Sequence, residues 1–321
     1  MNFSDIGRVG AIASLYENTG YKPFESMVSR SHLMLEGTDF NLVYFPLKHL
    51  GYKAATIAAG QLYAAFAHPD TLDVVLGVSS KLDYPQIKEL WEGVTTAAKE
   101  HGFKSLGLDL VPSRNGLSIA TSAGGHIGKL QKEHLGKPQS KDLICVSGNL
   151  GAAYLGMSLL EEGARTFDKD RTQPALEKYK MIVGAYLKPE LEPSIIDRLE
   201  ELDIRPSGAY LVDRGLSDAV KQLVRDTGLG AKIYAATIPF EGNTFELGKK
   251  LDIDPVSAAL SGGDDFRLML TVPIAKTEEF RRNFPTFDII GHLAQSDVGA
   301  VMVLPEGAEL PLKSQGWNEE E

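Results

Sequence analysis

Cysteine is almost missing from this chain. One residue of 321, Cys145, carries a thiol, which excludes an intramolecular disulfide framework and a multi-cysteine zinc site. Cys145 lies in the apolar run 143–146 and reads as a core thiol. Basic charge is scarce as well: 33 Lys and Arg face 43 Asp and Glu, a formal net charge of −10. Nucleic-acid binding needs clustered cations against the phosphates, so nucleic acid is not an expected partner. No segment reaches the roughly 18 uninterrupted apolar residues of a membrane span. The nearest, residues 54–67 (AATIAAGQLYAAFA), is broken by Gly60 and Gln61 and suits a buried helix packed through small residues. The first residues, MNFSDIGRVG, lack the basic-then-apolar layout of a secretory signal. These absences give the expectation of a cytoplasmic protein without a membrane partner. No fixed-period repeat is visible, and the acidic stretch 318–321 reads as a solvated tail.

What is present is globular: 43% hydrophobic and 24% charged residues, in a length that suggests about two domains. Residues 33–45 (LMLEGTDFNLVYF) predict strand, bend, strand. Residues 71–79 are rich in β-branched side chains and predict a buried strand. Residues 85–101 open on Pro85 and stop at Gly102, the caps of a helix. Strands are predicted over 103–110 and 117–122, joined by a Pro-Ser-Arg-Asn-Gly turn. The polar, lysine-rich stretch 126–142 is the expected domain boundary. A strand over 143–147 then leads through a Gly-rich turn into a helix ending near 162. Further helices are expected over 189–202 and 215–227, and a Gly-Gly-Asp-Asp turn precedes a strand over 266–272. Helices and strands interleaved in both halves mean an α/β (α+β) protein of two domains.

Standard nucleotide and metal motifs fail. Gly124, Gly125, Gly128 and Lys129 lack the Walker A spacing and are followed by Leu130, not Ser or Thr; Gly148–Gly156 does not fit GxGxxG. That segment is read either as tight helix-on-strand packing or as backbone N–H groups offered to an anion. None of the seven histidines has metal-ligand spacing, and His49, His68 and His126 read as surface or cap residues. Aspartates beside glycines are more informative. Asp39 follows Gly37-Thr38, Asp109 follows Gly107-Leu108 at an expected strand end, Asp213 precedes Arg214-Gly215, and Asp264 and Asp265 follow Gly262-Gly263. Carboxylates on turns and strand ends can hold Mg²⁺ against phosphates, and can equally be turn or cap residues.

The order of these segments resembles thiamine-monophosphate kinase, within the superfamily of aminoimidazole ribonucleotide synthetase (PurM-like), hydrogenase-maturation dehydratase and selenide water dikinase. EGTDFNLVYFPLKHLGYKAA (36–55) is similar to the family's threonine-aspartate stretch and its Gly-x-Lys-Ala. LGLDL (106–110) resembles its Gly-Gly-Asp segment, and 142–160 its strand, Gly-rich turn and helix. GAYLKPELEP (184–193) resembles the Tyr-Leu-x-Pro element and 212–233 the Ser-Asp-Gly-Leu helix with the strand after it. ALSGGDDFRLMLTVP (259–273) matches the Gly-Gly-Asp-Asp-Phe element, and IIGHL (289–293) the closing Ile-Gly strand. The two other branches fit less well, since one needs a C-terminal cysteine and the other a reactive residue near the N-terminus.

The resemblance implies a two-domain fold. An N-terminal ATP-binding and dimerisation domain (1–138) would give strands to a β-barrel at a homodimer interface, and a C-terminal α+β domain (139–321) would pack outside it. It implies an ATP-dependent phosphotransferase acting on a small phosphorylated metabolite, with Mg²⁺ and ATP as cofactors. Carried onto this sequence, Asp39, Asp109 and Arg214 are the expected catalytic residues, with Asp39 and Asp109 as metal ligands. Thr38, Gly107, Gly148, Gly151 and Asp213 would meet nucleotide or phosphate, and Gly262, Gly263, Asp264 and Asp265 would meet substrate. Departures are as informative as matches. Residues 20–35 contain no aspartate where the family has Gly-Asp-Asp-Ala-Ala, Gln61 replaces the last residue of Asn-Leu-Ser-Asp, and Arg214 replaces the aspartate of Ser-Asp-Gly-Leu. Each unit of charge on a metal ion about 4 Å from a cation costs about 4 kcal/mol at an effective dielectric near 20, roughly a thousandfold in occupancy. Arg214 can instead meet a phosphate directly. The alternative is therefore a catalytically degenerate member that binds a nucleotide or phosphorylated ligand, or acts as a regulatory dimer.

Overall fold

The computed structural model describes residue 14 and residues 27–130, 136–172 and 176–313. The expected acidic tail and the middle of the expected domain boundary lie outside them. Two sheets organise the described residues. The first has the order β1-β4-β2-β3, from β1 (Met27–Leu35), β2 (Ala67–Ser79), β3 (Ser105–Ser113) and β4 (Ser118–Ile127). β4 runs antiparallel between β1 and β2, while β3 pairs parallel with β2 at the edge. The strands on either side of the Pro-Ser-Arg-Asn-Gly turn therefore do not pair with each other. This sheet is open within the chain, and no closed barrel forms among the described residues.

One face of it is covered by α1 (Leu47–Tyr63) and α2 (Tyr84–Glu100). Alternation along β2 and β4 sends Leu72, Val74, Leu76, Ile119 and Ala123 into that layer. Helix α2 starts on a capping box, Asp83 bonding the Gln86 N–H and Gln86 reaching back to Asp83, with Pro85 in the first turn. The apolar run expected as a buried helix lies in α1, which is buried nearly all round. The second apolar run of 33–45 is a correction. It makes turns, not a strand: Asn41 accepts the N–H groups of Val43, Tyr44 and Phe45, and Phe40 and Phe45 fold inward as buried plugs.

The second sheet has seven strands in the order β11-β10-β7-β9-β5-β8-β6. These are β5 (Leu143–Ser147), β6 (Gly208–Val212), β7 (Gly230–Tyr234), β8 (Arg267–Val272), β9 (Phe287–Ala294), β10 (Ala300–Val303) and β11 (Glu309–Pro311). Its helices are α3 (Ala152–Asp170), α4 (Lys180–Leu187), α5 (Ile195–Glu201), α6 (Leu216–Thr227), α7 (Thr244–Leu251), α8 (Pro255–Ser261) and α9 (Thr277–Asn283). One face packs Ile144, Val146, Val212 and Met269 against α6. The other packs Cys145, Leu268 and Leu270 against α5, α9 and the end of α1. Cys145 is the expected core thiol, and burial pushes its pKa up to about 12. The helix expected over 189–202 is confined to α5, because Pro189 and Pro193 remove N–H donors from its first half. Tyr186 of α4 and Leu155 of α3 share a core with α1, so the two sheets meet along that helix.

Candidate functional site

Asp39 is placed by the turn that follows β1. Gly37 takes φ +83°, the Asp39 N–H donates to the Leu35 carbonyl at 2.9 Å, and the Asp39 carboxylate accepts the Leu35 N–H at 2.7 Å. Thr38 is exposed in the same turn. From the second sheet, Asp213 and Arg214 follow β6, and Gly215, at φ +92°, lets the chain turn against the Leu260 main chain before α6 begins. The Asp264 N–H donates to the Asp213 carbonyl at 2.9 Å, which ties the turn after α8 to the turn after β6. His32, Met34, Asp39, Ile57, Asp213, Arg214, Asp264 and Phe266 line a pocket between the two sheets. Its enclosed volume is about 10 Å³, room for one water, so it is the floor of a site rather than a nucleotide-sized cavity. A larger cavity of about 730 Å³, lined by His68, His126, Lys129, Glu200 and Arg205 among others, contains none of the expected site residues. His68 and His126 stack there and pair with carboxylates.

Charges at the pocket are arranged in pairs. Arg214, half-exposed, stands 3.9 Å from Asp39 Oδ1, a separation worth at most about 1 kcal/mol at a wet surface. Deeper, Lys53 of α1 is fully buried and its Nζ lies 3.0 Å from Asp264 Oδ2. Three rings surround that ammonium, with centroids at 4.1 Å for Tyr186 and 5.4 Å for both Phe45 and Phe266. Burial pulls the Lys53 pKa below the ordinary lysine value, while Asp264, then Asp39 and Asp265, oppose the shift. The Tyr186 hydroxyl donates to the Asp39 carbonyl at 3.2 Å. Lys53, Tyr186 and Phe45 were not among the expected site residues. The signal for Lys53 was present: a lone cation in the otherwise apolar run LGYKAATIAAG.

The Gly262-Gly263-Asp264-Asp265-Phe266 turn carries three left-handed residues, Gly263 (φ +76°), Asp264 (+65°) and Phe266 (+47°). For the two non-glycines this costs about 1–3 kcal/mol each. A Cβ on Gly262 would stand 2.5 Å from Tyr154 Cβ. Asp265 turns away from the pocket and is buried at the N-terminus of α3, where it accepts from the N–H groups of Gly151 (2.7 Å) and Ala153 (3.2 Å). The N–H groups of the Gly-rich turn before α3 are thus taken by the protein's own carboxyl group. Gly148 lies beneath the Arg267 guanidinium, whose Nη1 donates to the Glu190 carbonyl at 2.9 Å.

Two expected residues lie elsewhere. Asp109 sits mid-strand in β3, not at its end, and is exposed on the open face of the first sheet. Register aligns Leu33, Ala120, Val75 and Asp109 in one row across the four strands, so about 14 Å of sheet separates the Asp109 edge from β1 and its Asp39 turn. Gly107, two register pairs away, leaves room for the Asp73 carboxylate. Within one chain Asp39 and Asp109 cannot share an ion. Mg²⁺ asks for near-octahedral oxygen ligands, yet Asp39 faces Arg214 and Asp264 faces Lys53. No group of three or more His, Cys, Asp or Glu among the described residues is placed to hold a metal ion. The described side chains of a single chain do not fit Mg²⁺.

No family model matches the chain. It is 24% identical over 291 residues to thiamine-monophosphate kinase of Bacillus subtilis (strain 168), covering 89% of this chain and 85% of that one. It superposes on the crystal structure of thiamine monophosphate kinase (thil) from Aquifex aeolicus with a TM-score of 0.77 at 19% identity, covering 97% and 100% of the two chains. The structure of AaThiL complexed with AMPPCP and TMP gives the same TM-score at 18% identity, with 99% of each chain covered.

Proposed function

We propose that this chain, thiamine-monophosphate-kinase-like in sequence and fold, is an ATP-dependent phosphotransferase. It would act on a small phosphorylated metabolite at the pocket between its two sheets, with a depleted set of metal-binding carboxylates. Residues 1–138 would form the ATP-binding and dimerisation domain and 139–321 the second domain. The observation that carries the reading is Arg214, half-exposed at the mouth of the pocket beside Asp39 and above the Lys53–Asp264 pair. Phosphoryl transfer depends mostly on positioning and on neutralising charge. A guanidinium offers a fork of donors matched to phosphate oxygens, and contact with Asp39 at 3.9 Å leaves that fork able to turn outward. Asp39 is held by Leu35 and aligned by Tyr186, so it would orient the ligand from the opposite wall. In support, a solved structure of the same fold is described as complexed with AMPPCP and TMP.

Mg²⁺ has no complete ligand set among the described residues of one chain. The chain would work as a homodimer, with the open face of the first sheet turned to a second copy and Asp109 at that boundary. One observation favours a second reading, a phosphate-ligand-binding protein without turnover: two of the three pocket aspartates, Asp39 and Asp264, are already opposed by resident cations. A coupled assay of ATP consumption with thiamine monophosphate across Mg²⁺ concentrations, run beside calorimetry with ATP, separates the two. Substrate-dependent turnover that falls at least tenfold in Arg214→Ala is expected. ATP binding without turnover supports the second reading, and neither binding nor turnover overturns both.

A further inference from the structure

We infer that Lys53 is the positioning residue of this pocket: its buried ammonium grips Asp264 across the boundary between the two sheets and fixes the left-handed 263–266 turn. The inference rests on the reading of the pocket as the functional site. Four separated stretches, its own helix included, meet at this one side chain. Phe45 comes from the turn before α1, Lys53 from α1, Tyr186 from α4, and Asp264 and Phe266 from the turn after α8. Lys53 has no exposed surface, whereas Asp264 keeps about a quarter of its side chain exposed. The pair therefore has an inner end that anchors and an outer end that faces the pocket.

Stability alone does not explain a lysine here. Apolar residues of similar volume in place of a buried ion pair are commonly neutral or stabilising. A methionine would fill the three-ring cage equally well. What it could not supply is a directional partner for the Asp264 carboxylate. That partner matters because the turn is held against its own backbone preference, with Asp264 and Phe266 both at positive φ. With Lys53 holding Asp264, the next residue, Asp265, is set on the Gly151 and Ala153 N–H groups. The Asp264 N–H stays on the Asp213 carbonyl, beside Arg214. One buried cation in the first half of the chain thereby sets both walls of the pocket in the second half.

Amide hydrogen exchange in the full chain tests this without relying on activity. Lys53→Met alone strands a carboxylate, and Asp264→Asn alone strands a buried ammonium, so either single variant can fail to fold. The Lys53→Met/Asp264→Asn double variant leaves no unpaired charge, and asparagine tolerates the left-handed conformation. In the double variant the amides of Gly151, Ala153 and Asp264 are expected to exchange at least tenfold faster than in wild type, while those of β5 keep wild-type rates. Lys53→Arg is expected to stay within about threefold of wild type at the same amides. Wild-type exchange in the double variant overturns the proposal. So does Lys53→Arg exchanging as fast as the double variant, because packing and not charge would then set the turn. A faster-exchanging turn in a protein whose wild type binds no ATP by calorimetry supports the positioning role and counts against the functional reading alone.

Discussion

Asp265 has been moved wholly out of water to the end of a helix. Burial pushes its carboxyl up to about 7 from an ordinary 3.8, more than the Gly151 and Ala153 N–H groups and Arg267 pull it down. A carboxyl that holds its proton more tightly when folded contributes stability at low pH and loses it as pH rises. Here that loss runs from about pH 4 to about pH 7, with a slope of at most about 1.4 kcal/mol per pH unit. The difference in unfolding free energy between wild type and Asp265→Asn, measured in urea, should therefore shift against wild type as pH rises through that window. A pH-independent difference would remove the assignment. The sequence marked this Gly-Gly-Asp-Asp turn as a place for chemistry, but not which aspartate does what. The division depends on partners far along the chain, Gly151 and Ala153 for Asp265 and Lys53 for Asp264. Asp39 was legible because its turn is local: Gly37 and the Leu35 main chain are enough to fix it. Asp109 was not, because its place depends on which strand β3 pairs with.

Helices α1 and α2 meet backbone to backbone at two glycines. A Cβ on Gly51 would stand 1.9 Å from the Leu90 carbonyl oxygen, and one on Gly93 1.9 Å from that of Lys48. Neither helix can yield locally, because the obstructing atoms are main chain. Gly51→Ala is therefore expected to destabilise by about 3 kcal/mol or more by forcing the helices apart. Gly184 in α4 has nothing within 4 Å of the added methyl, and Gly184→Ala should raise stability by about 0.5–1 kcal/mol through helix propensity. Urea unfolding of both variants checks the contrast, and equal effects would show that interhelical contact does not set the cost. The small-residue composition of α1 announced close packing, and the caps of α2 announced its start. The turns over 41–44 were hidden because Phe40 and Phe45 give strand-like hydrophobicity to a segment whose backbone is claimed by Asn41. Local propensity names helices with good caps, and tertiary burial decides what short aromatic runs become.

At the scale of the whole molecule the first sheet is unfinished. Its inner face is covered by α1 and α2, while no element among the described residues covers the face that carries Leu33, Ala120 and Val75, with Leu33 50% and Val75 40% exposed. The edge strand β3 presents Leu106, Leu108 and Leu110 at 37–52% exposure with one side of its backbone unpaired. An apolar sheet face beside an unprotected edge is an association hazard unless something covers it. The proposed homodimer covers it with the same surface of a second copy, as two-fold symmetry requires. That arrangement would carry Asp109, at the end of the Leu33–Ala120–Val75 row, to the boundary between the copies, where a single chain leaves it solvated and remote from Asp39. Val75→Lys places a charge in the middle of the row without touching the pocket. Sedimentation should show wild type at twice the chain mass and Val75→Lys at the chain mass, with the folded helical signal retained. A wild type that sediments as a single chain at high concentration would leave Asp109 outside any shared site and return the whole of the pocket chemistry to Asp39, Arg214 and the Lys53–Asp264 pair.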